Sequence, residues 1–174
     1  RIPSNIEFFG DGMDKTIFKI DALTQLSEVK MFESSNSELN VYHPLITTKT
    51  TRTDPAVNNI LLRNFKVDDI DYDDSGLIGY VCPILLNNAR NSDAEFIHCG
   101  SVQTTREREL QSLRASLGFC ITFSENIKLY KCYHEFAGYE SLSIRFLSKD
   151  IITEINTFYI DKIDGLNQQV HVGQ

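Results

Sequence analysis

The chain has 174 residues, a net charge of −7 and four cysteines. This length suits one domain with one hydrophobic core, and the apolar runs are far shorter than the ~20 residues that cross a bilayer. Because acidic residues outnumber basic ones, we do not expect tight binding to nucleic acid that is independent of the base sequence.

We predict a single domain over residues 1–174, with a less regular segment at 1–56 and a β-rich core at 57–174. The chain starts at Arg1 with neither an initiator Met nor an apolar signal region, so we expect a processed or trimmed chain. The cysteines lie among apolar residues and there is no Asn-x-Ser/Thr acceptor. Both features predict a reducing compartment and buried free thiols.

The N-terminal third has an ambiguous pattern. Ile17, Ile20 and Leu23 are spaced like one face of a helix, although Phe18 and Ile20 also alternate as in a strand, and we favour the helix. Residues 34–55 are rich in Ser, Asn and Thr, which predicts a surface loop around a short extended piece at 39–45.

The next segments predict strands. Residues 60–67 form a strand candidate that ends in an acidic turn at 68–76, and residues 77–86 are apolar on both faces, as in a strand covered on both sides. Pro83 predicts an edge position or a bulge, because proline donates no hydrogen bond to a sheet. Residues 87–93 are predicted to be a loop, followed by a strand at 95–102.

The second half combines two helix signals with three strands. Thr104 and Glu107 form a capping-box pattern before a predicted helix at 105–117, with Gly118 as its C-terminal cap. Alternating apolar residues predict strands at 119–124 and 142–146, with an aromatic-rich one at 127–136 between them. Helical spacing predicts a second helix at 149–162.

The predicted fold is therefore mainly β with α+β character. We expect an antiparallel β-sandwich, jelly-roll-like, with one or two helices packed on it and no internal repeat. The predicted core consists of ten apolar side chains: Leu61, Phe65, Ile84, Leu86, Phe119, Ile121, Phe123, Leu142, Ile144 and Phe146.

Catalytic signatures are weak. The sequence has no Gly-x-Ser-x-Gly elbow and no Walker loop. Residues 71–76 copy the first half of a calcium loop, but Cys82 stands where that loop needs a bidentate Glu. Cys99, Cys132 and His134 could in principle bind zinc, although core packing is favoured. We predict no enzyme, no catalytic residue, no metal and no cofactor, with a zinc-dependent hydrolase as an alternative.

A second group combines basic and aromatic side chains. Gathered on one surface, these residues would offer phosphate contacts and stacking faces for single-stranded nucleic acid, the alternative being ordinary solvated charge. The candidate nucleic-acid-binding residues are Arg106, Arg108, Arg114, Lys128, Tyr130 and Lys131.

The middle of the chain resembles a known family. The motifs are Gly79-Tyr80-Val81, Leu85 to Arg90, His98 to Ser101 and Gly118 to Phe123, after an extended stretch at 60–67. Their order over residues 57–127 is similar to the core of the plant-virus movement-protein superfamily, a jelly-roll family related to capsid proteins. The signature Asp of that family is Asn87 or Asn88 here.

The resemblance implies a viral β-sandwich. The expected function is that of a non-enzymatic viral structural or interaction protein, matrix- or capsid-like, which self-associates through edge strands or the N-terminal segment. The alternative is a movement-type protein that carries nucleic acid between cells. The expected partners are other copies of the chain, and a viral nucleoprotein or single-stranded RNA, in the host cytoplasm or the virion.

Overall fold

The computed structural model describes residues 1–19, 26, 28–32, 41–48, 53–68, 70–72, 79–100, 102–104, 116–135, 140–158 and 169–172. Within these ranges the regular elements are all strands, and no helix could span a membrane. The strands are β1 Ile6–Phe9, β2 Ile17–Phe18, β3 Val29–Lys30, β4 Val41–Thr47, β5 Val57–Asn58, β6 Ile60–Val67, β7 Ile70–Tyr72, β8 Tyr80–Asn87, β9 Ala89–Cys99, β10 Val102–Thr104, β11 Leu117–Thr122, β12 Glu125–Tyr130, β13 Tyr133–His134, β14 Glu140–Arg145, β15 Lys149–Glu154, β16 Thr157–Phe158 and β17 Gln169–Val172.

These strands form a parallel β-solenoid. One sheet, here called sheet A, has the central order β1-β6-β9-β12-β15, and a second, sheet B, has the order β17-β14-β11-β8-β4-β3. Neighbouring strands are parallel throughout sheet A, and in sheet B only the β3–β4 pair is antiparallel. The chain therefore visits the sheets in turn, and each coil stacks on the preceding one.

The third coil shows the path. It follows β8 in sheet B, turns at Asn88, follows β9 in sheet A and then β10, which pairs with β7 in a small third sheet. The fourth coil follows β11 in sheet B, turns at Phe123 and then follows β12 and β13, which both pair with β9 in sheet A. Each of these coils thus contributes to both large sheets.

The predicted antiparallel jelly roll is wrong, although the chain is rich in β structure as predicted. Alternation of apolar residues indicates a strand with one buried face, but it carries no information on strand direction. The sequence also contains the repeat that we did not predict. Its units are aligned by structure rather than by constant spacing, because the separation of equivalent Asn and Asp residues varies from 24 residues (126 to 150) to 54 (5 to 59).

The C-terminal helix prediction is wrong for residues 149–158, which form β15 and β16. The β-branched residues of this segment favour a strand, and stacking on β12 outweighs the helical spacing. The helix predicted at 105–117 falls largely outside the described residues, but its last residue, Leu117, begins β11, and Gly118 lies within that strand. Ile17 and Phe18 likewise form β2 instead of a helix.

Two strand details also differ from prediction. The predicted loop at 87–93 is a single corner at Asn88, with β8 before it and β9 after it. Pro83 lies within β8, which is a central strand between β4 and β11, not an edge strand.

A column of left-handed residues lies at or near the start of the five central strands of sheet A. Asn5, Asn59, Asn91, Asn126 and Asp150 occupy equivalent positions, and each has a φ between 49° and 58°. We call this column the asparagine ladder. The Asn59 amide donates to Asn5 Oδ1 at 2.9 Å, and the Asn126 amide donates to Asn91 Oδ1 at 2.9 Å. Asn is among the few residues that tolerate this backbone conformation, which explains its recurrence.

Two further corners repeat from coil to coil. The first corner bends the strands of sheet A at one level, where four equivalent residues have positive φ: Asn64, Phe96, Lys131 and Ile155. At the turn from sheet B to sheet A, Thr48 Oγ1 accepts from the backbone N–H of Asn87 at 2.8 Å and donates to the backbone carbonyl of Asn87 at 2.8 Å. Side-chain hydrogen bonds thus satisfy backbone groups where the sheets end.

The main core lies inside the solenoid, between the two large sheets. Of the ten predicted core residues, eight are buried: Phe65, Ile84, Leu86, Phe119, Ile121, Phe123, Leu142 and Ile144. Leu61 and Phe146 are partly exposed. All four cysteines are buried and free, as predicted.

A second buried cluster covers the outer face of sheet B. Met31 and Val29 pack there against Tyr42 and Leu117. The same face buries Glu140, whose carboxylate pairs with Arg145. Sheet B is therefore enclosed on both faces, whereas the outward face of sheet A is partly exposed.

The asparagine ladder gives a stability prediction. Asn91→Ala should lower the free energy of unfolding by ~1–2 kcal/mol, because Ala is strained at φ 49° and the Asn126 amide loses its acceptor. Urea denaturation measures the change. Asn91→Gly keeps the left-handed backbone accessible and should cost less than half as much; equal stability of the Ala variant and the native chain would contradict the role of the ladder.

Candidate functional site: the outward face of sheet A

The outward face of sheet A is lined by polar and aromatic side chains from three neighbouring strands. Alternation along β9 sends Asp93 and Glu95 outward and Ala94 into the core. Strand pairing aligns Glu95 with Arg63 of β6 on one side and with Tyr130 of β12 on the other. Rows of outward side chains thus run across the sheet, with neighbouring strands about 4.8 Å apart.

The first part of this face is an aromatic pair with two lysines. The rings of Phe96 and Tyr130 meet edge to face, with centroids 5.8 Å apart. The Lys131 ammonium lies 5.6 Å from the Phe96 centroid and 5.2 Å from that of Tyr130. Lys128 Nζ lies 5.3 Å from the same tyrosine ring. These contacts are within the range of cation–π attraction.

A second ring pair lies beyond the corner, on β9 and on β13, which also pairs with β9. The His98 and Tyr133 rings lie 4.7 Å apart at an interplanar angle of 77°. His98 Nε2 is 2.9 Å from Glu135 Oε1, so the carboxylate fixes the orientation of the imidazole. Lys66 is the neighbour of His98 on β6. A carboxylate-oriented imidazole can bind hydroxyl groups or transfer a proton.

The charged side chains of this face are largely paired with one another. Lys128 Nζ contacts Glu154 at 3.1 Å, and Lys66 Nζ contacts Asp68 at 2.9 Å. Arg63 forms an ion pair with Glu95 through its Nε, 3.0 Å from Oε2. Positive and negative groups therefore alternate, and the face has no net excess of positive charge.

Asp93 differs from the other carboxylates of the face. Partial burial raises the pKa of its carboxyl group, and repulsion from Glu95 raises it further, against smaller opposing effects of Lys128 and Arg63. Two carboxylates on one face of one strand thus have different surroundings, since Glu95 has Arg63 as a direct partner.

The structure brings together three of the six predicted nucleic-acid-binding residues. Lys128, Tyr130 and Lys131 are on one face of β12 and its following corner. Arg106, Arg108 and Arg114 lie outside the described residues. The acidic partners and the second ring pair were missed, because they come from strands that only the parallel stacking places side by side.

The possible zinc ligands lie in the core. Cys99, Cys132 and His134 are almost completely buried, and Cys99 is the strand neighbour of His134. Burial raises the pKa of the Cys132 thiol to about 11 and that of Cys99 above its usual range, which disfavours the thiolates that bind zinc. Across the described ranges, no group of three His, Cys, Asp or Glu side chains is arranged to hold a metal.

A separate feature is the end of sheet A at β15. Its only strand neighbour among the described residues is β12. The side chains of Leu147, Ile152 and Ile155 are exposed there by 73%, 49% and 70%. The edge thus combines exposed aliphatic side chains with backbone groups that pair with no other strand in the described part of the chain.

Comparison with protein-family models, curated proteins and solved structures finds no match for the chain. The movement-protein resemblance, including its viral origin, therefore stays a prediction. The jelly-roll architecture that it implied is not the architecture observed.

His134 gives a pH prediction. Burial lowers the pKa of His134 from about 6.5 to about 4, with a smaller contribution from His98. Because the folded pKa is depressed, the stability from keeping this ring neutral is present above pH 6.5 and is lost as the pH falls from about 6.5 to about 4. The loss should be about 3 kcal/mol.

Urea denaturation between pH 7 and pH 4 measures this loss. His134→Gln removes the titrating ring and should flatten the pH dependence over this range, whatever its effect at pH 7. An unchanged slope in the variant would contradict the assignment to His134.

Proposed function

We propose that the protein is a self-associating structural or interaction module that binds a second copy of itself through the β15 edge. The observation that carries the proposal is the exposed β15 edge with Leu147, Ile152 and Ile155. Matrix- and capsid-like roles are specific forms of this function, and they stay predictions.

The backbone of β15 offers an edge to which another strand can pair. Lys149, Ile151 and Thr153 follow β12 in register, and the opposite edge of β15 has no partner among the described strands. An edge strand of this kind offers a row of N–H and C=O groups that another strand can pair with. A second β15 related by two-fold symmetry would pair antiparallel to the first, and such isologous dimers are the commonest oligomers.

The exposed side chains next to this edge offer apolar surface for the same interface. Leu147 and Ile155 stand in left-handed corners, where Asn or Gly would be less strained, so their aliphatic character is not explained by the backbone. Burying one such side chain is worth about 1.5–3 kcal/mol. In a two-fold dimer both copies bury these side chains, so their burial adds to the backbone pairing in favouring association.

At the opposite end of the solenoid, sheet A ends at β1, but sheet B is built differently. There the short strand β3 runs antiparallel along β4 and covers that edge of sheet B. A reversed strand interrupts the parallel pairing that stacked copies would need, so continuous head-to-tail stacking is disfavoured at this end. This difference favours a closed dimer through β15 over an open filament.

The proposal predicts concentration-dependent dimers of the native chain. Light scattering after size exclusion should show a doubled molar mass at high protein concentration. The double variant Leu147→Asn and Ile155→Lys should raise the dimer dissociation constant at least tenfold, because it removes two exposed aliphatic groups. Both replacements suit their backbone, since Asn tolerates the left-handed conformation of residue 147 and Lys131 occupies the corner equivalent to Ile155.

Phe9→Ser is the matched control, because Phe9 is 67% exposed at the other end of sheet A. It should leave the dissociation constant unchanged. A native chain that stays monomeric at every concentration would refute self-association, and a dimer weakened by the Phe9 change alone would move the interface to β1.

A further inference from the structure

We propose that the outward face of sheet A between β9 and β12 is a binding site for a neutral glycan chain. The site consists of two ring pairs, Phe96 with Tyr130 and His98 with Tyr133, here called the ring strip. This site is separate from the β15 edge and does not depend on self-association.

The ring strip has the geometry of a stacking surface for a chain of rings. Phe96 and Tyr130 come from adjacent strands, as do His98 and Tyr133, and all four side chains are partly exposed. Tyr130 ends β12 and Tyr133 begins β13, on either side of the corner at Lys131, and a separation of three residues spans at most roughly 10 Å. That length matches a disaccharide, so each ring pair can contact one sugar ring. Tyrosine suits such a surface because it joins an apolar ring face to a hydroxyl group.

The charges around the strip decide between classes of ligand. Nucleobases also stack on aromatic rings, but a nucleic acid needs cations that neutralise its phosphates. Here the cations are already paired with carboxylates: Lys128 with Glu154, Lys66 with Asp68, and Arg63 with Glu95. A polyanion would have to displace these carboxylates and would be repelled by them. A neutral ligand meets no such opposition.

The same paired groups suit the hydroxyl groups of a sugar. Each hydroxyl both donates and accepts, and it is best satisfied where donors and acceptors alternate. Glu95 and Glu135 offer acceptors beside the rings, while Lys131, which forms no ion pair within the described part of the chain, offers a donor. His98, oriented by Glu135, offers its second ring nitrogen. Donors and acceptors thus flank both ring pairs.

Affinity electrophoresis tests the proposal with defined probes. The full native chain is run through native gels that contain soluble neutral glucan, mannan, galactan or xylan, and in parallel with labelled single-stranded RNA at low and high salt. We expect slower migration in at least one neutral glycan, unchanged by added salt. Tyr130→Ala should weaken that association at least tenfold, since it removes one stacking ring.

Two variants make the test specific. Phe9→Ala removes an aromatic ring in the same row as Tyr130 but three strands away, and it should leave glycan binding intact. Tyr133→Phe keeps the ring and should lose less affinity than Tyr133→Ala. Circular dichroism and thermal unfolding of each variant establish that it is folded.

Three results would overturn the proposal. They are normal migration of the native chain in all four glycans, undiminished binding by a folded Tyr130→Ala variant, and salt-sensitive retention of RNA without retention by any glycan. The last result would instead restore the nucleic-acid assignment of Lys128, Tyr130 and Lys131. None of them bears on dimer formation, which light scattering measures independently.

Discussion

The structure depends on in-register hydrogen bonding between parallel coils. Each inner strand of sheets A and B pairs with the coil before it and with the coil after it, so the pairing fixes the position of every side chain in a row. The asparagine ladder keeps this pairing aligned, because residues of one backbone conformation recur at the same level in five successive strands. The solvent-facing rows of sheet A and the exposed β15 edge both follow from that alignment.

This constraint also separates structural residues from those available for binding. Inward positions of sheet A hold Leu62, Ala94 and Leu129 at one level, where a charge would lose its hydration. Outward positions at the next level hold Arg63, Glu95 and Tyr130, which are not needed for the core. The structural residues include the buried Cys99, Cys132 and His134.

The sequence allowed the strands and the core to be predicted, but not their arrangement. Eight of ten predicted core residues are buried because period-two alternation reports burial directly. Strand direction depends on contacts between residues such as Asn5 and Asn59, whose repetition is hidden by coils of unequal length. The same limitation applies to the site. The sequence indicated Lys128, Tyr130 and Lys131, which are close together in the chain. It did not indicate Glu95 and His98 as part of this face, because only the stacking of strands places β9 beside them. The helix predicted at 149–162 failed because its spacing was considered without the neighbouring strand.

The unequal spacing of the ladder has an evolutionary consequence. Equivalent ladder positions are 24 residues apart between Asn126 and Asp150 but 35 apart between Asn91 and Asn126. The extra residues of the longer coil occur between one strand and the next, and the strands after them still pair in register. A solenoid of this kind can lengthen or shorten one coil, or duplicate a whole coil, while its neighbours keep their geometry. Its surface can therefore diversify in steps of one coil, and sequence similarity can be lost long before the architecture is.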